Sequence, residues 1–195
     1  MGQRDYPDIR VVRTRARLRE ALTELLQEAS FESVNVTDIA KIAGINRVTF
    51  YNHYDSKDEL IAEILDLQLD EYVSLMEKFD PKAPTEGVIA SHESFIRINY
   101  EHFGQFSKVY KLLLSDDFPA YTQRFVSIMQ KSIRNVLSHM KGNPDLDEED
   151  YAFFSEWIVG GTMQTIRNWI RSGFDPSAEV IARRTIQTTR MMLLR

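Results

Sequence analysis

The sequence contains no cysteine and no long apolar run. Without cysteine the chain can form neither disulfide bonds nor thiolate metal sites, which is typical of proteins from a reducing compartment. No stretch approaches the roughly 18 apolar residues that a membrane-spanning helix needs. The first ten residues also lack the apolar core of a secretory signal. We therefore expect a cytoplasmic protein that has no membrane partner.

Signatures of catalysis are lacking as well. The four histidines show no metal-binding spacing such as His-x3-His; they are His53, His92, His102 and His139. There is no phosphate-binding glycine loop, nucleophile motif or cofactor fingerprint. The sequence therefore predicts no metal site, no cofactor and no enzymatic activity. A helical enzyme or ligand carrier is the less favoured alternative, and it would need convergent catalytic groups.

The chain also lacks a net positive charge, because its net charge is −5. Its distribution is uneven. Residues 1–19 contain six arginines against two aspartates and carry +4, so the rest of the chain carries −9. A basic arm on an acidic body is typical of a protein that meets phosphate at one end. An arginine-rich, solvated helix face would give the same pattern, and both interpretations stay open.

Helical periodicity is what the sequence does have. Apolar residues recur three or four positions apart in nearly every segment, whereas no alternating strand pattern occurs. We therefore predict an all-α protein of about nine helices, with an N-terminal three-helix domain and a C-terminal helical domain. The clearest predicted helices cover about 10–29, 37–43, 47–54, 56–79, 85–103, 120–140, 147–172 and 176 onward.

The segment after the first predicted helix meets the requirements of a helix-turn-helix. Thr37 can cap a short helix, and Ala40 is small enough for two helices to cross there. Gly44 can adopt the positive φ that a sharp turn requires. Phe50 and Tyr54, four positions apart, point together from the next helix into a small core. This pattern predicts two short helices that meet at a sharp turn.

The opposite face of that next helix is polar and aromatic. Side chains of this kind read bases or hold phosphates, and arginine to guanine or asparagine to adenine is worth roughly 1–3 kcal/mol of discrimination. A helical hairpin with a polar outer face is the plain alternative. The candidate DNA-reading residues are Arg47, Val48, Thr49, Tyr51, Asn52 and His53.

The first third of the chain resembles the TetR family of bacterial transcriptional regulators. The resemblance rests on four runs between residues 37 and 60: Thr-Asp-Ile-Ala, Ala-Gly-Ile, Thr-Phe-Tyr-Asn-His-Tyr and Ser-Lys-Asp-Glu-Leu. It implies a homodimer that places the third helix of each subunit in a major groove of a palindromic operator. It further implies a DNA-binding domain over 1–57, and a domain over 58–195 that dimerises through the last two helices and holds a small-molecule effector.

The same resemblance assigns roles to single residues. Thr37 and Lys57 match positions that contact phosphates, and the recognition-helix positions are the six candidates already named. Asp38 stands where other members can carry a base-reading cation. The basic arm would add phosphate or minor-groove contacts through Arg10, Arg13, Arg15 and Arg17.

The C-terminal half carries less specific signals. The run from Trp157 to Gly173 resembles a C-terminal type shared with the dihydroxyacetone-kinase operon activator. The family resemblance as a whole favours a ligand-responsive repressor, and the likeness of this run to the activator adds the alternative of an activator that works with a protein co-regulator. The paired Gly160 and Gly161 cost about 2 kcal/mol of helix propensity relative to alanine. Close approach of two helices at a dimer interface would explain them, and room for a ligand is the second explanation.

Aromatic residues are frequent in this half, and some of them are candidates for an effector pocket. Packing in the core is the alternative for each one. The predicted pocket residues are Phe95, Tyr100, Phe103, Tyr110, Phe125, Trp157 and Gln164.

Overall fold

The computed structural model describes residues 9–78, 88–139 and 147–193. Within these ranges the regular structure is entirely helical, which confirms the predicted fold class. No helix among the described residues is both long and apolar enough to cross a membrane. The prolines Pro81 and Pro84 also predict a linker, Thr85 a helix cap and Gly142–Pro144 a helix stop, and these positions lie outside the described residues. The helices are α1 (Ile9–Leu25), α2 (Val36–Ile42), α3 (Arg47–Tyr51), α4 (Lys57–Lys78), α5 (Val88–Gln105), α6 (Ser107–Leu113), α7 (Pro119–His139), α8 (Glu148–Arg171) and α9 (Ala178–Leu193).

The chain divides into two compact units, residues 1–69 and 70–195, and α4 runs from one into the other. The division lies twelve residues after the boundary at 57/58 that the sequence suggests. The reason is that the first three turns of α4 belong to the same compact unit as α1, α2 and α3. A functional boundary at 57/58 stays a prediction.

In the first unit, α1 packs against α2, and α2 packs against α3. The predicted apolar stripe of α1 is buried through Leu18, Ala21 and Leu22. This helix ends at Leu25, four residues before the predicted end, because residues 26–29 form turns.

Asparagine, not threonine, caps the two short helices. The Asn35 Oδ1 accepts the backbone N–H groups of Thr37 at 2.9 Å and Asp38 at 3.1 Å, so the predicted cap by Thr37 is wrong. In the same way Asn46 caps α3 by accepting the Thr49 N–H at 2.7 Å. Both residue types suit an N-cap, but asparagine ranks above threonine there. The helix α3 ends at Tyr51, three residues earlier than predicted.

Ser56 and Glu59 predict a capping box at the start of α4, and an acidic run predicts a stabilised start of α8. The Ser56 Oγ accepts the Glu59 N–H at 3.2 Å, but the Glu59 carboxylate accepts the N–H of Asp55 and not that of Ser56. A complete reciprocal capping box does occur at α8, between Asp147 and Asp150. There the two carboxylates accept three backbone N–H groups at the start of the helix, those of Asp147, Glu149 and Asp150.

Two predicted breaks in the second unit differ from the structure. The last helix begins at Ala178, so Pro176 lies before α9 and not at its first position. Gly104 lies inside α5 and does not end it. A Cβ at Gly104 would lie 3.4 Å from the Ala178 Cβ and 3.5 Å from the Trp169 ring, so this glycine lets the helices pack closely.

In the second unit, α5 packs on α9 and α7 packs on α8 around a core rich in aromatic rings. Phe103 is central to this core, with its ring centroid 4.9 Å from that of Tyr110 and 5.8 Å from that of Phe125. Beside it lies His102, whose pKa is lowered to about 4 by burial. This histidine is therefore neutral at ordinary pH and serves as a core residue.

Candidate DNA interface and effector site

The predicted sharp turn between α2 and α3 lies at Gly44. Its φ is +65°, in the left-handed region that favours glycine. The N–H of Ile45 donates to the Ala40 carbonyl at 2.9 Å and closes the turn. The guanidinium of Arg17 lies against the turn, because a Cβ at Gly44 would approach its Nη2 to 2.7 Å. The first unit therefore contains a helix-turn-helix, as the sequence indicates.

The two faces of α3 differ sharply in exposure. Phe50 is 0% exposed and Tyr54 is also buried, so both anchor the helix as predicted. In contrast, Val48 is 70% exposed and Tyr51 is 48% exposed. Arg47 and Asn52 are exposed, and Thr49 and His53 are half-buried. All six candidate DNA-reading residues thus lie on α3 or directly after it, and none of them is fully buried.

The Thr49 hydroxyl already forms a hydrogen bond within the protein. Its hydroxyl donates to the Asn46 Oδ1 at 3.0 Å, the same atom that accepts the Thr49 N–H. A hydroxyl has one hydrogen and two lone pairs. Thr49 can therefore accept a hydrogen bond from DNA without giving up this cap, but donating to DNA requires it to leave Asn46.

Ion pairs hold the basic helix α1 to α4. The guanidinium of Arg15 pairs with the Glu63 carboxylate, and its Nε lies 3.2 Å from the Tyr54 hydroxyl. Arg19 donates to Glu63 at 2.5 Å. Although partial burial works to raise the pKa of Glu63, the hydrogen bonds from both arginines hold it below its ordinary value. A DNA contact by Arg15, which stays a prediction, would have to compete with this pairing, whereas Arg13 and Arg17 are exposed.

The Lys57 ammonium is bound to the loop between α1 and α2. It donates to the carbonyls of Phe31 at 2.6 Å, Val34 at 2.7 Å and Glu32 at 3.3 Å. It also lies 4.5 Å from the centroid of the Phe31 ring. All three of its N–H groups are thus used inside the unit. The other predicted phosphate contact, Thr37, is exposed at the start of α2.

A cavity of about 50 Å³ lies inside the second unit, between α4, α5, α7, α8 and α9. Three of the predicted pocket residues line it: Phe95, Tyr100 and Phe103. The sequence did not distinguish the other lining residues, because helical periodicity marks them only as buried. They are Tyr72, Ile96, Asn99, Met129, Ile133, Val136, Leu137, Ile158, Thr162, Thr185 and Thr189.

The other four predicted pocket residues lie elsewhere. Tyr110 and Phe125 are buried in the aromatic core next to the cavity and do not line it. Trp157 is 53% exposed and lines an open groove of about 570 Å³ formed by residues of α5, α8 and α9. Gln164 is exposed on α8, where its amide donates to Asn168 at 3.0 Å.

The polar groups around the cavity bond to one another. The Tyr72 hydroxyl donates to the Asn99 Oδ1 at 2.5 Å, and the Asn99 amide donates to the Phe95 carbonyl at 2.8 Å. The hydroxyls of Tyr100 and Thr185 lie 3.1 Å apart. Burial raises the pKa of both Tyr72 and Tyr100, so both phenols are neutral.

The glycine pair of α8 has open space beside it. A Cβ added to Gly160 or Gly161 would meet no atom within 4 Å. No close approach to another described helix of this chain therefore explains the pair. Both glycines line the same open groove as Trp157.

These features define a class of protein. An exposed polar helix, carried by a glycine turn and anchored by buried aromatic rings, is the arrangement by which helix-turn-helix proteins bind DNA.

Comparison with known families gives the narrower identity. Residues 18–64 match the family model described as bacterial regulatory proteins of the tetR family. Residues 91–191 match the model described as a transcriptional regulator C-terminal region. The chain belongs to the TetR family of bacterial transcriptional regulators, which confirms the resemblance read from the sequence.

Curated relatives are similar over part of their length. An uncharacterised HTH-type transcriptional regulator of Bacillus subtilis, YxbF, is 39% identical over 59 residues, which is 30% of this chain and 16% of YxbF. The HTH-type transcriptional regulator UidR of Escherichia coli K12 is 30% identical over 103 residues, 51% of this chain and 50% of UidR. The matches therefore span half or less of these relatives.

Solved structures share the fold. The fatty acid degradation regulator FadR of Bacillus halodurans is 15% identical, with a TM-score of 0.70 over 89% of this chain and 93% of FadR. A transcriptional regulator of Aquifex aeolicus is 23% identical, with a TM-score of 0.66 over 92% of this chain and 99% of its own. FadR of Bacillus subtilis, in complex with stearoyl-CoA, is 15% identical, with a TM-score of 0.66 over 88% and 95% of the two chains.

Proposed function

We propose that this regulator is a homodimeric repressor that binds a palindromic operator through α3 and leaves it when a small molecule enters the cavity of the second unit. The observation that carries the proposal is the two-sided burial of α3, with Phe50 fully buried while Val48 and Tyr51 are exposed. Such a helix can place its outer face in a major groove while the side chains of its buried face keep their contacts in the core.

The cavity supports a small-molecule effector rather than a protein co-regulator. It is enclosed among five helices, and a protein partner would reach only an outer surface. The structural neighbour from Bacillus subtilis with stearoyl-CoA shows that a protein of this fold can hold a small molecule. An activator with a protein co-regulator is the second candidate, favoured by the exposed aromatic residues Phe153 and Trp157 on α8.

The homodimer that we propose forms through α8 and α9. The outer face of α8 exposes Phe154, Trp157 and the glycine pair, and the groove beside them continues onto Ile181 and Thr188 of α9. Apolar and aromatic side chains of this kind are the usual core of a protein interface. Two glycines allow a partner helix to come close, which offsets their cost in helix propensity.

Replacement of Arg47 with alanine should weaken operator binding at least ten-fold and relax the preference for one base pair. Arg47 is exposed, so the stability should be unchanged, and a good arginine–guanine pair is worth roughly 1–3 kcal/mol. Fluorescence anisotropy with DNA from upstream of the gene measures this at low salt. Lys108→Ala, which removes one exposed charge from the second unit, is the control and should bind normally. If the wild-type protein binds no palindrome from that region, the proposed repressor function is wrong.

Replacement of Gly161 with arginine should convert the dimer to a monomer. The single chain has room for the new side chain, so the helix content should not fall, but the side chain would hold a partner helix away. Sedimentation velocity at micromolar concentration measures the result. Gly161→Ala is the matched variant: it adds one methyl group, gains about 1 kcal/mol of helix propensity and should weaken the dimer far less. An arginine variant that stays fully dimeric would place the interface elsewhere.

A further inference from the structure

We propose that the cavity takes an uncharged, mainly apolar molecule with one hydroxyl group, and that this hydroxyl replaces the hydrogen bond between Tyr100 and Thr185. The proposal deepens the proposed function, on which it rests, by stating the class of the effector and the contact that it breaks.

The charge of the ligand follows from the walls of the cavity. None of its fourteen lining residues is charged. A charged group placed there would lose its hydration and gain no ion-pair partner, at a cost that usually prevents burial of the charged form. The groove that Trp157 lines has one charged lining residue, Arg184, and this residue is exposed. The buried part of the ligand must therefore be neutral.

The place where the ligand enters follows from the wall that the cavity shares most widely. Two of its residues, Phe95 and Val136, also line a second groove formed by α4, α5 and α7. Five residues line both the cavity and the outer groove beside it, so they form the partition between the two spaces. These residues are Tyr100, Ile158, Thr162, Thr185 and Thr189. The hydrogen bond between Tyr100 and Thr185 crosses this partition from α5 to α9.

The size of the cavity makes movement of the partition necessary. A cavity of about 50 Å³ holds only a few waters, whereas an engineered cavity that binds benzene has about 150 Å³. The groove on the other side offers about 570 Å³. A ligand with more than a few heavy atoms fits only if the partition opens and joins the two spaces.

The hydrogen bond in the partition is suited to exchange. The Thr185 Oγ lies 3.1 Å from the Tyr100 hydroxyl and 3.0 Å from the Ile181 carbonyl, so its single hydrogen can serve only one of them. When it donates to Ile181, the Tyr100 hydroxyl is left to donate to Thr185. A ligand hydroxyl can take the place of Thr185 toward Tyr100, while Thr185 keeps its bond to Ile181.

The chain contains two tryptophans, and one of them reports on this contact. The Trp169 ring lies 5.8 Å from that of Tyr100 and is buried, whereas Trp157 lines the groove. In a Trp157→Phe variant the tryptophan emission comes from Trp169 alone, whose ring packs against those of Tyr100 and Phe174. The probes are 1-decanol, decanoate and decylammonium, which share one chain length and differ in charge, each used below its micelle concentration.

We expect 1-decanol to change the Trp169 emission saturably, and the two ions to bind at least ten-fold more weakly. Thr185→Val, which removes the hydroxyl at nearly constant volume, should raise the affinity for 1-decanol several-fold, because the ligand no longer has to displace Thr185 from Tyr100. Thr185→Ser should return the affinity to the wild-type value. If decanoate binds as tightly as 1-decanol, and if this binding is lost in Arg184→Gln, the proposal is overturned in favour of an anion held in the groove. Failure of all three probes to bind also overturns it.

Operator binding by the same samples separates this proposal from the proposed function. If the protein binds its operator but none of the probes changes the Trp169 emission, the repressor stands and the assigned ligand class is wrong. If 1-decanol binds the cavity but the protein binds no operator, the ligand site stands and the proposed repressor is wrong.

Discussion

Replacement of Phe50 with alanine should lower the free energy of unfolding of the first unit by about 3–5 kcal/mol. Phe50 is fully buried, and its ring packs 6.0 Å from the Tyr54 ring and 5.5 Å from that of Tyr51. Its loss removes the anchor that holds α3 in place, so operator binding should disappear. Thermal unfolding followed by circular dichroism, together with a gel shift, measures both effects.

Val48→Ala is the matched control, because Val48 lies two positions away in the same helix and is 70% exposed. Its truncation should leave the stability within about 0.5 kcal/mol of the wild type, as is usual for surface positions. Operator affinity should still fall, since the variant loses two methyl groups from the surface that we propose to face DNA. Equal stability of the Phe50 and Val48 variants would contradict the assignment of the two faces of α3.

Replacement of Lys57 with methionine should destabilise the first unit by about 2–3 kcal/mol. Hydrogen bonds to a charged group are worth about 1.5–3 kcal/mol, and the variant loses three that together close the loop between α1 and α2. Two of the three carbonyls are partly buried and one is exposed, so water replaces part of the loss. Urea unfolding of the full chain measures the change.

Lys41→Met separates this structural role from a phosphate contact. Lys41 is exposed in the same unit, so its loss should leave stability nearly unchanged. If Lys57 acts through the fold, the slope of operator affinity against salt should stay the same in Lys57→Met at temperatures where the variant is folded. A slope smaller by about one unit with unchanged stability would instead restore the phosphate contact that the family resemblance implies.

The helix-turn-helix was predictable because its signals are local. Gly44 in the turn and the pairing of Phe50 with Tyr54 depend on residues within one or two turns of helix, where side-chain direction follows directly from spacing. The error at Thr37 has a related cause. Both Asn35 and Thr37 are good capping residues, and the choice between them depends on where the preceding loop lets the helix begin.

Contacts between distant segments could not be predicted in this way. Arg15 meets Glu63 across 48 positions, and Lys57 reaches carbonyls more than twenty positions earlier. Charge and periodicity show that such side chains lie on a helix surface but not which surface they meet. The same limit applies to the candidate effector site: Trp157 and Tyr100 are both aromatic residues on helices, yet Trp157 lines the outer groove and not the cavity, whereas Tyr100 lines both.

The pairing of Arg15 and Arg19 with Glu63 has a consequence for how the protein meets DNA. Each phosphate that a protein neutralises releases about 0.9 condensed counterion from the duplex, and this release drives nonspecific binding. Of the five arginines of α1, Arg15 and Arg19 share one carboxylate, so one of their two positive charges is already balanced inside the protein. The basic arm therefore attracts random DNA less than its arginine content suggests, which leaves more of the binding free energy to depend on base sequence.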